Sequence, residues 1–340
     1  MAATLWTGDG VSPRAIPNTV NTVSFQPGLV WVKSRNTAYD HILWNSVVGA
    51  GTTTSLNSNT TAAEGVWAAN ANLSSFDSTG FTIGTSAGIN ALNVLSVTNV
   101  AWQWKAGGTA VSNTAGTITS SVSANTTAGF SVVTYTGTGA NATVGHGLGV
   151  APSMVIVKHR NAADAWYVYH VNLTSAAYVL QLNTTIAQTS VPTIFNSTAP
   201  TSSVFSVGTD SSTNTGSGTY VAYCWAPVAG YSAFGSYTGN GSNDGPFIYT
   251  GFRQRYVLIK CSSSTGSWFI NDTSREPVNL MNVSLRAETA DSEASGGGLT
   301  MDALSNGFKM RDAGSGSNGS GLIYIYAAFA ENPLKYSNAR

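Results

Sequence analysis

The chain contains one short turn three times, and each copy begins with an aromatic residue. The copies are WTGDG at 6–10, YTGTG at 135–139 and YTGNG at 237–241. A turn that occurs once is local chemistry, but one that returns with the same residue pattern indicates a repeated structural unit. The fold therefore has to be one that builds the same unit more than once.

Four further landmarks follow each turn in the same order. A lysine ends an apolar run 25, 21 and 21 residues after the middle glycine, and Asn45, His170 or Asp272 follows 12 residues after that lysine. A phenylalanine stands 48, 47 and 48 residues after the lysine, and a closing aromatic residue comes 23, 20 and 21 residues later. The lysines are Lys33, Lys158 and Lys260, the phenylalanines are Phe81, Phe205 and Phe308, and the closing aromatic residues are Trp104, Trp225 and Phe329. This matching order and spacing predicts three homologous modules.

The apolar runs inside each module have the composition of β-strands. They are short, rich in Val, Ile, Tyr, Trp and Phe, and bounded by Gly, Asn, Ser and Thr. Helical signals are weak, and only 60–73 has room for one or two turns. We expect an all-β protein of three tandem β-sandwich or jelly-roll-like modules of roughly 100 residues each. The boundaries are predicted at 1–107, 129–230 and 231–340, with a connector at 108–128.

Two of the lysine-bearing runs, LVWVK and MVIVK, are apolar at every position before the lysine. A half-exposed strand alternates apolar and polar residues. These runs therefore predict strands that are covered on both faces or held at an interface between modules, and periodicity alone does not separate the two.

The connector has no counterpart between modules 2 and 3. Its Ser, Thr and Gly content is that of a flexible linker. The alternation of β-branched and small residues in TITSSVSA instead favours a strand that lies along a neighbouring module or subunit. We favour the strand, and we expect modules 2 and 3 to be docked rigidly while module 1 is joined through the connector.

The composition excludes several classes of partner. Only 9% of the residues are charged, with 15 acidic and 15 basic side chains, so no basic face is expected to bind nucleic acid. The N-terminal residues lack the pattern of a signal peptide and no run is long enough for a membrane span, so we expect synthesis in a cytoplasm and no membrane insertion. Cys224 and Cys261 fall in different strands of neighbouring modules and at non-equivalent positions of the repeat, so we expect buried free thiols and no disulfide framework.

No motif in the sequence indicates catalysis, a metal site or a cofactor. The four histidines lack ligand spacing, and no two carboxylates are placed to suggest a glycosidase pair. We therefore expect no enzyme activity and no cofactor.

The recurring lysines have two interpretations. They form a ring of cations at a symmetry axis, or each is a strand-end lysine whose stem covers apolar surface while its ammonium reaches water. We favour the second. The recurring aromatic residues, including the phenylalanines and the closing aromatic residues, are interpreted as core.

Long stretches of the sequence carry a family likeness. They include LVWVKSRN, SNTTAAEG, YVAYCWA, FGSYTGNGSNDGPFIYTGF and IYAAFAENPLKYSNAR. These resemble a repeat domain in structural proteins of marine tailed bacteriophages, and the likeness extends over essentially the whole chain. The resemblance implies a tail-fibre or other virion role and assigns no catalytic or ligand residue. Module 1 departs from the commoner form, since Asn45 and Val48 replace an expected Asp and Arg that module 3 keeps as Asp272 and Arg275. If that pair matters for contacts between modules, module 1 packs differently.

From this resemblance we expect a virion structural protein, most plainly a tail-fibre or surface-appendage component that mediates host attachment. The alternatives are a capsid decoration or head-fibre protein and, less favoured, a glycan-degrading tailspike, because the β-helix of a tailspike needs repeats of roughly 20–30 residues. The expected partners are other virion proteins and a host cell-surface glycan or protein. We also expect a homotrimer, because a closed symmetric interface hides exposed strand edges.

Overall fold

Strands form almost all of the regular structure in the computed structural model, which describes residues 1–20, 23–51, 53–65, 73–84, 92–296 and 298–333. The all-β prediction is therefore confirmed, and the layers are those of β-sandwiches. Half of the candidate helical segment at 60–73, namely 66–72, lies outside the described residues.

The strands up to residue 104 are β1 (Ala2–Thr7), β2 (Arg14–Pro17), β3 (Leu29–Ser34), β4 (Ile42–Asn45), β5 (Leu73–Asp77), β6 (Gly80–Ile83) and β7 (Thr98–Trp104). The next are β8 (Val111–Asn113), β9 (Ser120–Asn125), β10 (Phe130–Thr136), β11 (Ala142–Gly145), β12 (Met154–His159), β13 (Tyr167–His170), β14 (Tyr178–Gln181), β15 (Thr189–Ser190), β16 (Val204–Val207), the short helix α1 (Ser211–Asn214) and β17 (Thr219–Trp225). The last are β18 (Ser232–Thr238), β19 (Phe247–Tyr249), β20 (Gln254–Cys261), β21 (Trp268–Asp272), β22 (Val283–Arg286), β23 (Ala294–Ser295), β24 (Met301–Leu304), β25 (Gly307–Met310) and β26 (Ile323–Ala330).

The three larger sheets share one strand order. In each, the strand that leads into the turn pairs with the closing strand, the closing strand pairs with the lysine-bearing strand, and that strand pairs with the next one along the chain. This gives β1-β7-β3-β4, β10-β17-β12-β13 and β18-β26-β20-β21, and every pairing is antiparallel. The smaller sheets are β2-β6-β5, β11-β16 and β19-β25-β24. The module boundaries at 107, 128 and 230 stay predictions.

The continuous apolar runs are explained by two separate cores on the two faces of each lysine-bearing strand. On β3, Val30 and Val32 belong to a cluster with Phe81 of the small sheet. The alternate residues Leu29 and Trp31 belong to a second cluster on the other face. Because successive side chains of a strand point to opposite faces, every position of β3 is buried.

The second cluster is shared by all three larger sheets. It contains Trp31 of β3, Ile156 of β12 and Leu258 of β20 at corresponding positions, together with the closing aromatic residues. The expectation that only modules 2 and 3 are docked was therefore wrong. The apolar face of β1-β7-β3-β4 would be exposed to water without the other two sheets, so module 1 docks directly and not only through the connector.

The connector is part of a sheet. Ser121 and Ser123 of β9 pair with Thr134 and Val132 of β10, and β8 pairs with β9 in turn. The strand interpretation of TITSSVSA describes this arrangement, while the linker interpretation was wrong. The connector therefore adds two strands to the outer edge of the second sheet.

Candidate functional site

Lys33, Lys158 and Lys260 lie at three junctions between modules, and each has no exposed surface. The ammonium of each lysine donates to the carbonyl of the next residue in its own strand, at 2.9, 2.8 and 2.7 Å respectively. Each also donates to a carbonyl of another module. Lys33 reaches Ala290 O at 3.0 Å, Lys158 reaches Thr61 O at 3.2 Å and Lys260 reaches Thr185 O at 3.3 Å. Module 3 thus contacts module 1, module 1 contacts module 2, and module 2 contacts module 3.

This burial corrects the favoured interpretation of the lysines. Their ammonium groups do not reach water, because carbonyls from two modules surround them. Burial lowers the pKa of all three from 10.5 to about 8, and nearby carboxylates, such as Asp40 for Lys33 and Asp164 for Lys158, oppose part of that shift. Since their hydrogen atoms are directed at carbonyl oxygens, these groups tie the modules together and are not presented to a substrate.

A second contact at each junction involves the residue two positions after the lysine. The backbone N–H of Glu293 donates to Arg35 O at 2.7 Å, and that of Glu64 donates to Arg160 O at 2.7 Å. Both pairs add a side-chain ion pair, at 2.7 Å for Arg35–Glu293 and 2.6 Å for Arg160–Glu64.

The third junction has the same backbone bond without the charges. Here the N–H of Gln188 donates to Ser262 O at 2.9 Å. The backbone bond is therefore common to all three junctions, whereas the ion pair is present at two.

A third contact comes from the residue eight positions after each lysine. Trp166 donates from Nε1 to Asn57 O and Trp268 donates from Nε1 to Gln181 O, both at 2.9 Å. In module 1 the corresponding residue is His41, whose Nε2 lies 2.9 Å from Arg286 O. Its Nδ1 accepts from Trp31 Nε1 at 2.8 Å, so Nε2 carries the proton. Burial, followed by the charge of Lys33, holds the His41 pKa well below 6.5.

The polar landmarks twelve positions after the lysines form the fourth contact. Asn45 Nδ2 donates to the Tyr223 hydroxyl at 3.4 Å, and His170 Nε2 lies 3.2 Å from Tyr326 O. Asp272 accepts from Trp102 Nε1 at 3.0 Å. Each landmark thus contacts a different module. The landmark of module 1 contacts module 2, that of module 2 contacts module 3 and that of module 3 contacts module 1, which is the opposite direction to the lysine contacts.

The Asp272–Arg275 pair that module 1 lacks is a buried ion pair, with Nε 2.6 Å from Oδ2 and both side chains fully buried. Arg275 also contacts Glu293 at 3.1 Å and lies over the ring of Trp102. In module 1, Asn45 accepts from the Val48 N–H at 3.0 Å, so the local turn is kept and the charges are lost.

The aromatic residue before each turn has a defined partner in its own module. Trp6 meets Phe81 with ring centroids 5.9 Å apart, Tyr135 meets Phe205 at 6.1 Å and Tyr237 meets Phe308 at 6.3 Å, all edge to face. Such pairs stabilise a core by about 0.5–1.5 kcal/mol beyond burial. The recurring phenylalanines therefore anchor the small sheets to the turns.

Three buried asparagines that the sequence analysis missed hold the turns. Asn214 accepts at Oδ1 from the Thr138 N–H at 2.8 Å, and its own carbonyl accepts from the Gly139 N–H at 2.8 Å. Asn93 and Asn318 make the same two bonds to the turns at Asp9 and Asn240. Each asparagine stands eleven residues before its closing aromatic residue. That constant spacing was the signal that could have found them.

The closing aromatic residues meet where the three sheets come together. The centroid of the Trp104 ring lies 5.9 Å from that of the Trp225 ring and 5.6 Å from that of the Phe329 ring. The gap left between them has a volume of about 10 Å³ and an apolar lining, and one water molecule needs roughly 10–15 Å³ and polar partners. The centre of the molecule is therefore tightly packed and leaves no room for a ligand.

The open grooves lie on the outside and are lined by hydroxyl groups. One of about 360 Å³ is bordered by Ser112, Ser121, Thr134, Thr219 and Arg160 among others. A second, of about 600 Å³, includes Ser46, Ser75, Thr109, Gln26 and Phe76. Hydroxyl, amide and guanidinium groups offer hydrogen bonds to a polar ligand such as a sugar.

Neither a metal cluster nor a membrane-spanning helix occurs in the described residues. No group of three or more His, Cys, Asp or Glu side chains there is placed to hold a metal ion. No helix in this part of the chain is both long and apolar enough to cross a membrane. Cys224 and Cys261 are free and buried, which confirms the prediction for the thiols.

Comparison with known proteins gives one match. No curated protein and no solved structure matches the chain significantly. A family model described as a domain of unknown function, DUF7483, matches residues 1–333. The match extends over all three modules, and the chain belongs to the DUF7483 family.

Proposed function

We propose that this chain is a structural protein of a tailed-phage virion, a tail-fibre or surface-appendage component that helps the particle attach to its host. The observation that supports this best is the closure of three equivalent junctions by buried lysines within one chain. Such closure yields a rigid block whose strands are used for contact between modules. Its loops and hydroxyl-lined grooves face outward, where a neighbouring virion protein or a host glycan would bind.

The low charge of the chain agrees with a role in an assembly. With 15 acidic and 15 basic side chains, and several of these used at the junctions, no large field of one sign remains to repel neighbouring copies. The homotrimer expected from the sequence stays a prediction; it would have a molar mass of three times 35.2 kDa, and a dimer would contradict it.

A capsid decoration is the second candidate. Three modules with the same strand order surround one shared core, and such an arrangement suits a threefold position on a capsid because equivalent surfaces then meet equivalent neighbours.

Quantitative mass spectrometry of purified particles separates the two candidates. A tail appendage is expected at a few to tens of copies per particle, and a capsid decoration at hundreds. Absence of the chain from purified particles would contradict both. The less favoured tailspike is tested by incubating the protein with host envelope polysaccharides, where release of reducing sugar is the outcome expected of that activity alone.

A further inference from the structure

Three strands, β1, β10 and β18, are the outermost of the four-strand order that the modules share. Each pairs with its closing strand on one side, so its opposite side is an edge of that four-strand unit. In an antiparallel pair, residues alternate between those bonded to the partner and those whose N–H and C=O point away. Leu5, Thr134 and Ser236 occupy the same position, three residues before the middle glycine of the turn, and point their backbone groups outward.

The register on β18 fixes which residues face out. Tyr231 O accepts from the Ala330 N–H at 2.7 Å, and the Gly239 N–H donates to Leu322 O at 2.8 Å. The odd-numbered residues between them therefore bond to β26. Phe234, Ser236 and Thr238 direct their N–H and C=O groups away from the sheet.

The edges of the other two modules are occupied. On β10, Val132 and Thr134 pair with Ser123 and Ser121 of β9. On β1, Ala3 O accepts from Ser274 Oγ at 2.9 Å. Farther along β1, Thr7 O accepts from Arg14 Nη1 at 2.6 Å. One edge is thus covered by a strand, and the other is occupied by side chains on both sides of Leu5.

The β18 edge has no such cover from the described residues. Neither another strand nor a side chain there bonds to the outward backbone groups of Phe234, Ser236 or Thr238, and Ser236 and Thr238 are exposed. The strand reads SAFGSYT and has no charge and no proline. Charged residues and proline are the usual means by which an edge avoids pairing with another chain.

We propose that β18 pairs with β18 of a second copy of this chain, antiparallel and edge to edge. Such a pair is related by a twofold axis, so a single surface serves both copies. Two uncharged strands meet without repulsion. The pairing of β10 with β9 shows, at the equivalent position of module 2, that this edge accepts an antiparallel strand of small and hydroxyl residues, SSVSAN. The two six-stranded sheets then become one continuous sheet.

Light scattering on the full chain tests this pairing. The wild type is expected at twice 35.2 kDa, as a dimer and not as the homotrimer expected from the sequence. Ser236→Pro removes an outward N–H that makes no bond within the chain, and proline is tolerated on an edge strand for that reason. This variant is expected as a monomer with unchanged circular dichroism. Leu5→Pro is the matched control, because it makes the same change at the equivalent position of an edge that the chain already occupies, and it is expected to stay dimeric.

A second variant tests the pairing independently, in case the proline variant does not fold. Ser236 is the middle one of the three outward residues, so in a pairing centred on it Ser236→Lys brings one positive charge from each copy together, and at low salt it is expected to raise the dimer dissociation constant by roughly fivefold. A monomeric or trimeric wild type would overturn the proposal. So would a folded Ser236→Pro variant that remains dimeric.

Discussion

Glu293 lies 2.7 Å from the guanidinium of Arg35 through Oε1, although 258 residues separate the two in the chain. Its backbone N–H donates to the carbonyl of the same arginine at 2.7 Å. This double contact joins the last module to the first, and Glu64 with Arg160 repeats it between modules 1 and 2. The last part of the chain thus returns to the first, and the three modules close on one another.

The ion pair at the junction of modules 1 and 2 is expected to be replaceable by the pair found at the third junction. Arg160→Ser leaves the largely buried Glu64 without its partner and should lower the free energy of unfolding by about 1–3 kcal/mol. Glu64→Gln with Arg160→Ser reproduces the Gln188–Ser262 arrangement and should recover most of the loss. Urea unfolding of both singles and the double variant measures the coupling. Purely additive effects would show that the two side chains do not interact.

The middle glycine of the turn is expected to tolerate no side chain. A Cβ on Gly137 would lie 2.3 Å from Thr215 O, whereas one on Gly216, in the same module, would lie 3.8 Å from its nearest atom. Gly137→Ala should therefore lower the free energy of unfolding by about 1–3 kcal/mol through overpacking. Gly216→Ala, the control, should change it little. Equal losses in chemical denaturation would contradict the steric explanation of the repeated turn.

Alkaline pH is expected to stabilise the junctions. The folded-state pKa of each recurring lysine is lowered to about 8, while the unfolded value is about 10.5. Between these values the unfolded chain binds more protons, so the free energy of unfolding rises with pH, by at most about 1.4 kcal/mol per unit for each lysine.

Other groups oppose this rise. Burial raises the pKa of the Cys224 thiol and of hydroxyls such as that of Tyr223, so their contributions fall at high pH. The comparison of wild type with Lys260→Met isolates the lysine. Between pH 7.5 and 9.5, urea unfolding should show that the free energy of unfolding of the variant rises less, or falls more, than that of the wild type. An equal change in both proteins would contradict the assignment.

Mild acid is expected to lower the free energy of unfolding through the buried histidines. Burial lowers the His170 pKa to about 4, and Nδ1 of this residue accepts from the Asn172 N–H, which only the neutral ring can do. Between about 6.5 and 4 the unfolded state binds a proton that the folded state does not, so stability falls as pH decreases through this window. His170→Asn introduces the residue found at the equivalent position, Asn45. In thermal unfolding, this variant should lose less stability between pH 7 and pH 5 than the wild type does. An unchanged slope would assign the acid sensitivity to other groups.

The repeat could be recognised from the sequence because it rests on local constraints. The glycines of the turn are fixed by close backbone contact, and Phe81 with Trp6 is fixed by packing inside one sandwich. Both leave a pattern at constant spacing. The same holds for Asn93, Asn214 and Asn318, whose spacing was present and was missed.

The junctions could not be read in this way, because each joins groups from different modules. Nothing near Lys33 in the sequence indicates that Ala290 O will accept a hydrogen bond from its ammonium group, and a lysine after an apolar run most often reaches water. The shared core was hidden for a similar reason. A strand with both faces buried has the same composition whether its second face meets its own module or another one.

The closed arrangement of the three modules is tested most directly by amide hydrogen exchange at the three junction residues Glu64, Gln188 and Glu293. Their N–H groups donate to Arg160 O, Ser262 O and Arg35 O of other modules, and no bond within their own module would protect them. We predict exchange slowed at all three to a similar degree, and at Glu293 in particular, since its partner lies in the first module. Exchange of Glu293 at the rate of an unstructured peptide, with β20 and β26 still protected, would contradict the closed arrangement.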